Sequence, residues 1–386
     1  MKKWISEIPE AGWLFLALFA ACALFASLQS LVFEYYFNPY PGSAQSNYGN
    51  YIIFKQSWFH LINGQDLYKA WPHEQFDLFK YSPAFAVFFS LFAYLPDAAG
   101  LPLWCLLNAL VLFFSVKALP GFSNSHKNLI LLFVALELLT SLQNSQSNAL
   151  MAGLLIFSFV FLERRCYLLA TLLLVLSIYL KLFGVIALAL FIFYPEKWKL
   201  AFYTLFWGVV MFCLPLPFTG FDQLIFLYRS WWKLLSSDFS ASLGFSVMGW
   251  LNSWFHLHIP KLIIVAAGAL IGGIPLLFIK KYHYYTFRVF MLASLLIWVI
   301  IFNHKAESPT FIIAMSGAAL WLFAQKISRV NLFLGIFAIL FTSLSSTELF
   351  MPIRDMVTEP YVLKVVPVIF IWIKIIRDMI VYSPDQ

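Results

Sequence analysis

AGWLFLALFAACALFASLQSLVF, residues 11–33, runs for 23 positions without a charged side chain. An α-helix rises about 1.5 Å per residue and the hydrocarbon core of a bilayer is about 30 Å thick, so such a run crosses a membrane as a helix. The same texture returns along the chain: of 386 residues, 62% are hydrophobic and only 11% charged, against roughly a quarter charged in a soluble domain. The runs are long and continuous, without the two-residue alternation of a membrane barrel, which leaves helices as the way to satisfy the backbone in lipid. The sequence therefore predicts an all-α polytopic membrane helical bundle, a single domain over 1–386, with about twelve spans. They are placed at 11–33, 97–118, 127–142, 149–162, 166–180, 182–194, 199–217, 260–279, 286–302, 309–325, 330–346 and 361–382. The first run is too long for the apolar part of a signal peptide and is read as a retained span.

A net charge of +7 would suggest nucleic acid in a soluble protein. Here the basic residues fall in short loops at every second boundary: Lys2/Lys3, Lys117/Lys127, Arg164/Arg165, Lys197/Lys199, Lys280/Lys281/Arg288 and Lys326/Arg329. That is the pattern of cytoplasmic loops, and no nucleic-acid partner is implied. The other boundaries then face outward, and they carry the polar clusters: 48–81, Gln143 to Asn148, Lys181, 236–242, His304 to Ser308 and the loop 345–360. Polar groups at membrane depth are costly unless they face a cavity or one another, so their convergence on one face marks the expected site. Cys22, Cys105, Cys166 and Cys213 stand at no metal-ligand spacing, and neither a disulfide nor a metal is implied. No glycine-rich phosphate loop, serine-nucleophile elbow or Asp-x-Asp pair is present, so neither a cofactor nor a metal-bound nucleotide sugar is expected.

Two outer segments are predicted to be amphipathic helices. From Asn50 to Ile62, Tyr51, Phe54, Trp58 and Leu61 recur at three- and four-residue spacing, with Lys55, Gln56 and His60 between them and Gly64 as terminator. This reads as a helix in the outer interface with its aromatic face among the headgroups; packing of that face on the bundle is the alternative. The segment from Phe221 to Leu235, with Tyr228, Trp231 and Trp232 beside Arg229 and Lys233, reads the same way.

The motifs in these loops carry a family resemblance. Asn50 opening a helix, Gly64-Gln65-Asp66-Leu67-Tyr68, and Tyr81-Ser82-Pro83 resemble the first-loop pattern of glycosyltransferase family 87, the polyprenol-phosphate-mannose-dependent membrane enzymes with a GT-C fold. Gln143-Asn144-Ser145-Gln146-Ser147-Asn148 resembles the family's Gly-Gln-x-Asn turn with Ser145 in place of glycine. Lys181 matches its intramembrane lysine, and Ser308-Pro309, after His304, Lys305 and Glu307, resembles its late outer motif. The resemblance implies a GT-C-like enzyme in the plasma (bacterial inner) membrane with its active site on the outer face. It would move a hexose, with mannose suggested, from a polyprenyl phosphate carrier to a lipid, glycan or protein acceptor. Nucleotide sugars are absent from that face, so a lipid must bring the sugar. A transporter or flippase of a polar lipid, and a catalytically inactive relative that binds a lipid-linked sugar, are the rival readings.

The inactive reading arises at Asn50, where the family usually has an aspartate. An amide cannot take the acceptor's proton, so the base must be another carboxylate. Glu307 is the first candidate, beside His304 and Lys305 at the mouth of a span; Asp77 is the second, with Glu34 and Asp66 behind them, the latter better suited to a turn. Lys181 is read as the cation that grips the donor phosphate, with His304, Lys305 and Arg229 sharing the task; a lysine snorkelling to the interface is the alternative. Gln143, Asn144, Gln146, Asn148 and Tyr81 are the expected sugar or acceptor ligands, since sugar hydroxyls need donors and acceptors in fixed directions. For Asn144 and Asn148, helix capping is an equal reading.

Overall fold

The computed structural model describes residues 10–33, 46–75, 77–237 and 242–382, and among them every regular element is helical. Glu34 and part of the 236–242 cluster lie outside the described residues. In chain order the main helices are α1 (Glu10–Phe33), α2 (Gly49–Ile62), α3 (Pro83–Ala93), α4 (Asp97–Ala118), α5 (Asn124–Gln143), α6 (Asn148–Glu163) and α7 (Tyr167–Leu180). A 3₁₀ segment, Leu182–Phe193, precedes α8 (Lys197–Cys213), α9 (Phe221–Ser237), α10 (Val247–Phe255) and α11 (Lys261–Gly273). The chain closes with α12 (Tyr285–Ile301), α13 (Phe311–Phe323), α14 (Arg329–Ala338) and α15 (Val366–Val381).

Four helices are long and apolar enough to cross a membrane, Gly12–Phe33, Asp97–Ala118, Asn124–Gln143 and Lys197–Thr219, and shorter apolar helices of 10–17 residues accompany them. The span expected at 97–118 is α4 to the residue. The expected span 361–382 begins later, at Val366, because Val362 adopts a left-handed φ of 51° and breaks the helix before it. Helices approach closely where a side chain would not fit: a Cβ on Gly153 of α6 would lie 2.8 Å from the Leu112 nitrogen of α4, and one on Gly317 of α13 would lie 2.6 Å from the Ala293 oxygen of α12. In lipid, where apolar burial gives no drive between helices, such contact and buried hydrogen bonds supply the association. One polar clamp is fully buried: Lys364 Nζ donates to Glu137 Oε1 at 2.8 Å and to Ser346 Oγ at 2.8 Å, tying the segment before α15 to the middle of α5.

The two outer helices differ from each other. In α2 the aromatic stripe faces the protein: Tyr51, Phe54 and Leu61 are fully buried and Trp58 nearly so. Phe54 meets Tyr81, Phe85, Phe89 and Trp104 edge-on at 4.8–5.7 Å. The expected placement of that face among headgroups is therefore corrected. The cause is α3, whose Phe85 and Phe89 offer a close-packed aromatic surface that α2 covers. α3 lies between the expected spans; Ser82 and Pro83 are its cap and first-turn proline, and Ser82 Oγ accepts from Phe85 N at 3.3 Å. In α9, by contrast, Phe221, Phe226 and Trp232 are exposed while Leu224 and Leu227 are buried, as an interfacial helix requires.

The basic loops meet at one end of the bundle. Arg164 donates to the Ala118 oxygen, Lys127 to the Lys117 oxygen, and Lys281 to the Met379 and Ile380 oxygens. Arg288 grips Glu163 with two bonds of 2.6 Å. The opposite ends of α4, α5 and α6 carry Asp97, Gln143 and Asn148, and there the other polar clusters collect.

Candidate functional site

The turn between α5 and α6 builds the site. α5 ends in a Schellman motif: Ser145 N donates to Leu142 O at 2.8 Å and Gln146 N to Ser141 O at 3.3 Å, with Ser145 in the left-handed region at φ 52°. This geometry explains why the related family turn has glycine here. The Ser145 hydroxyl is also buried with no hydrogen-bond partner among the described residues. Ser145→Gly relieves the strain of a non-glycine residue there and removes a costly unsatisfied group, against the extra chain entropy of glycine. A net gain of about 1 kcal/mol follows, raising the thermal midpoint of the detergent-solubilised chain by about 1 °C. A lower midpoint would contradict it.

Beyond the turn, four side chains form one chain of hydrogen bonds. Lys181 Nζ donates to Asn148 Oδ1 at 2.6 Å; Asn148 Nδ2 donates to Gln146 Oε1 at 2.6 Å and to Pro309 O at 3.0 Å; Gln146 Nε2 donates to Glu307 Oε2 at 3.0 Å. Lys181 ends α7, where its extended backbone breaks the helix before the 3₁₀ segment. Its ammonium stands 5.7 Å from the centre of the Tyr81 ring and 5.9 Å from that of Phe183. Tyr81 OH shares a hydrogen with Ser147 Oγ at 3.2 Å. Burial drives the Tyr81 phenol above its ordinary pKa, against the opposing bond with Ser147, and the charges of Glu307 and Asp77 add to the rise. The phenol is therefore neutral at working pH and able to donate or accept.

The late loop is folded to present Glu307. Its own carbonyl accepts from Thr310 N at 3.0 Å and Thr310 Oγ1 at 2.6 Å, starting the turn into α13. Glu307 itself is exposed at the mouth of α13. Gly244, at φ 54°, allows the 242–246 strand of chain to lie on this loop, and Phe245 N donates to Ala306 O at 2.9 Å; a Cβ on Gly244 would sit 2.7 Å from that oxygen. His304 and Lys305 occupy the same loop, with Lys305 N accepted by Asn303 Oδ1 at 2.9 Å.

The structure thus brings together Lys181, Asn148, Gln146, Glu307 and Tyr81. Asn50, Gln143 and Asn144 form a neighbouring tether instead: Asn50 Nδ2 donates to Asn144 O at 3.0 Å, Gln143 Nε2 to Gln29 Oε1 of α1 at 2.7 Å, and Asn144 Nδ2 to Thr140 O at 2.9 Å. Asp77 is 67% exposed and faces Lys80 at 3.6 Å. Arg229 is exposed on α9, and no hydrogen bond among the described residues carries it to Lys181. Asp66 serves a turn, accepting from Tyr68 N at 3.1 Å and from Ser230 Oγ with both oxygens. Two residues were missed as parts of the site. Ser147 partners Tyr81, and Ser82 Oγ donates to Tyr179 O at 2.6 Å, pinning the start of α3 to the last turn before Lys181.

A cation, a carboxylate and several amides at the end of an apolar bundle are a fitting set for a charged, hydroxyl-rich substrate. No curated protein matches the chain significantly. The profile of glycosyltransferase family 87 matches residues 79–302, which contain Tyr81, Gln146, Asn148 and Lys181 and end five residues before Glu307. That match covers more than half of the sequence, and the chain belongs to glycosyltransferase family 87, a family of membrane glycosyltransferases.

Proposed function

We propose that the protein transfers a hexose, mannose in the reading suggested by its family, from a polyprenyl phosphate carrier to a lipid, glycan or protein acceptor on the outer face of the membrane. The observation that carries this reading is the company Lys181 keeps. Glu137 neutralises buried Lys364 through a direct bond, whereas Lys181 is held by the neutral oxygen of Asn148. An ammonium positioned in a poorly hydrated site by an amide keeps its charge available to an anion, and a lipid phosphate is the anion such a site meets. In the reaction the acceptor oxygen bonds to the anomeric carbon, the bond from that carbon to the phosphate oxygen breaks, and the carrier phosphate leaves with the electron pair. The acceptor proton passes to a carboxylate, for which Glu307 is the group in the network.

Vesicles containing the full chain and a polyprenyl phosphate carrying radiolabelled hexose test this directly. Label is expected to leave the carrier for a new product when a membrane extract supplies acceptors. Movement of intact carrier between leaflets without transfer would favour the flippase reading and sink this one.

Orientation has its own test, motivated by the segregation of basic loops to one end of the bundle. In a background with exposed Cys166 and Cys213 replaced by serine, Asn63→Cys is expected to react with an impermeant maleimide added outside intact cells, and Ser125→Cys only after lysis. The reverse labelling would put the site on the cytoplasmic side and remove the need for a lipid donor.

A further inference from the structure

A groove lies apart from the Lys181 network, between the loop after α2 and the first half of α9. It encloses about 330 Å³ and is lined by Gln65, Asp66, Lys69, Trp71, Gln223 and Phe226, within the low end of the ~300–1,000 Å³ usual for small-molecule sites. We propose that this groove binds a neutral saccharide of the acceptor, an assignment that rests on the glycosyl-transfer reading above.

Three features select that class of ligand. Trp71 is a braced platform: His60 stacks on its ring at 4.1 Å and 21°, and Glu74 holds the His60 Nε2 at 3.1 Å. A fixed indole, with Phe226 exposed across the groove, offers the apolar surface on which the C–H face of a sugar packs. Around it stand the Gln65 amide, the Gln223 amide oxygen and the Lys69 ammonium, with the Asp66 carboxylate, already bonded to Ser230, as a further acceptor: the mixture that hydroxyl groups require. The charges of Asp66 and Lys69 cancel, so the groove has no excess cation to hold a phosphate. That distinguishes it from the donor end at Lys181 and favours a neutral ring.

The groove is also mechanically joined to the reaction network. Gln223 Nε2 donates to Gly64 O at 3.0 Å and Ser230 Oγ to Asp66, which fix α9 to the loop. Tyr68 OH donates to Tyr81 O at 3.0 Å, and Trp231 Nε1 to Lys80 O at 3.1 Å. A saccharide seated against Trp71 is therefore held by the same loop that places Tyr81 over Lys181.

Saturation-transfer NMR on the full chain in detergent, with maltotriose and α-mannotriose as probes and hexose 1-phosphate as the charged comparison, tests the groove without needing turnover. At least one trisaccharide is expected to receive saturation, with affinity at least about tenfold weaker in Trp71→Ala and unchanged in Lys181→Ala. Should Trp71→Ala fail to fold, Gln65→Ala and Phe226→Ala, both at exposed positions, carry the same test. Absence of binding by both trisaccharides, or binding unaltered in these variants, overturns the proposal. Trisaccharide binding by a chain that transfers no hexose from the lipid carrier would instead leave the groove standing and sink the transfer reading.

Discussion

Lys181→Ala is expected to abolish detectable hexose transfer from the lipid carrier, or to lower kcat/KM for the donor by about 10² to 10³, the loss usual when one preorganised donor to a developing anion is removed. On the proposed reading the ammonium would meet the phosphate beside Asn148 and between the Tyr81 and Phe183 rings, where its contribution is screened less than it would be at a surface. In the proposed reaction, charge would build on the carrier phosphate as its bond to the anomeric carbon breaks, and the cation would act more strongly on that state than on the bound donor. Lys181→Arg is expected to retain part of the activity: the charge survives, but the larger planar guanidinium, bonded to Asn148 Oδ1, places that charge differently. Lys181→Met separates charge from packing, since it keeps the unbranched stem against the two rings. Thermal stability within about 1 kcal/mol of wild type would show that the lost rate is chemical. Unchanged donor kinetics in Lys181→Ala would leave Lys181 as a lysine that snorkels to the interface.

Much of this arrangement was legible because membrane physics leaves few choices. The charge-free run at 11–33 and the paired basic loops dictate helices and their ends, and α4 follows from them to the residue. What periodicity could not reveal was which face of an amphipathic helix meets protein. The spacing of Tyr51, Phe54, Trp58 and Leu61 fits lipid headgroups or a protein surface equally well. The choice was made by α3, too short to register as a span. Within the site, Gln146 and Asn148 were found by the motif but not their direction: both amides are turned inward, linking Lys181 to Glu307. Gln143 and Asn144, three and four residues before Gln146 and Asn148, carry the same amides yet bond to α1 and to their own helix. The left-handed Ser145 between the two pairs reverses the chain and separates their roles, and only its substitution for a family glycine hinted at this.

Glu307→Gln is expected to lower turnover by about 10² to 10⁴, the range for removal of a general base, with the donor KM within about threefold of wild type. The substitution is close to isosteric, and the new amide oxygen can still accept from Gln146 Nε2, so the loop that ends at Thr310 keeps its bonds. What disappears, on the proposed reading, is the carboxylate that would take the acceptor's proton. Asp77→Asn is expected to cost little, because Asp77 is largely exposed and its bonds are to Leu78 N and Lys80 on its own loop. Normal turnover in Glu307→Gln together with a loss in Asp77→Asn would move the base to the first loop. Asn50→Asp probes the same question from the other side. A carboxylate there cannot donate to the Asn144 carbonyl and would stand beside it as a second acceptor, costing about 0.5–1.5 kcal/mol at this exposed bond. If Asn50→Asp alone confers transfer on an otherwise silent protein, the natural chain is a lipid-sugar-binding relative; if wild type transfers hexose and Asn50→Asp is slower, the amide at position 50 is a tether for the turn and the proton goes to Glu307.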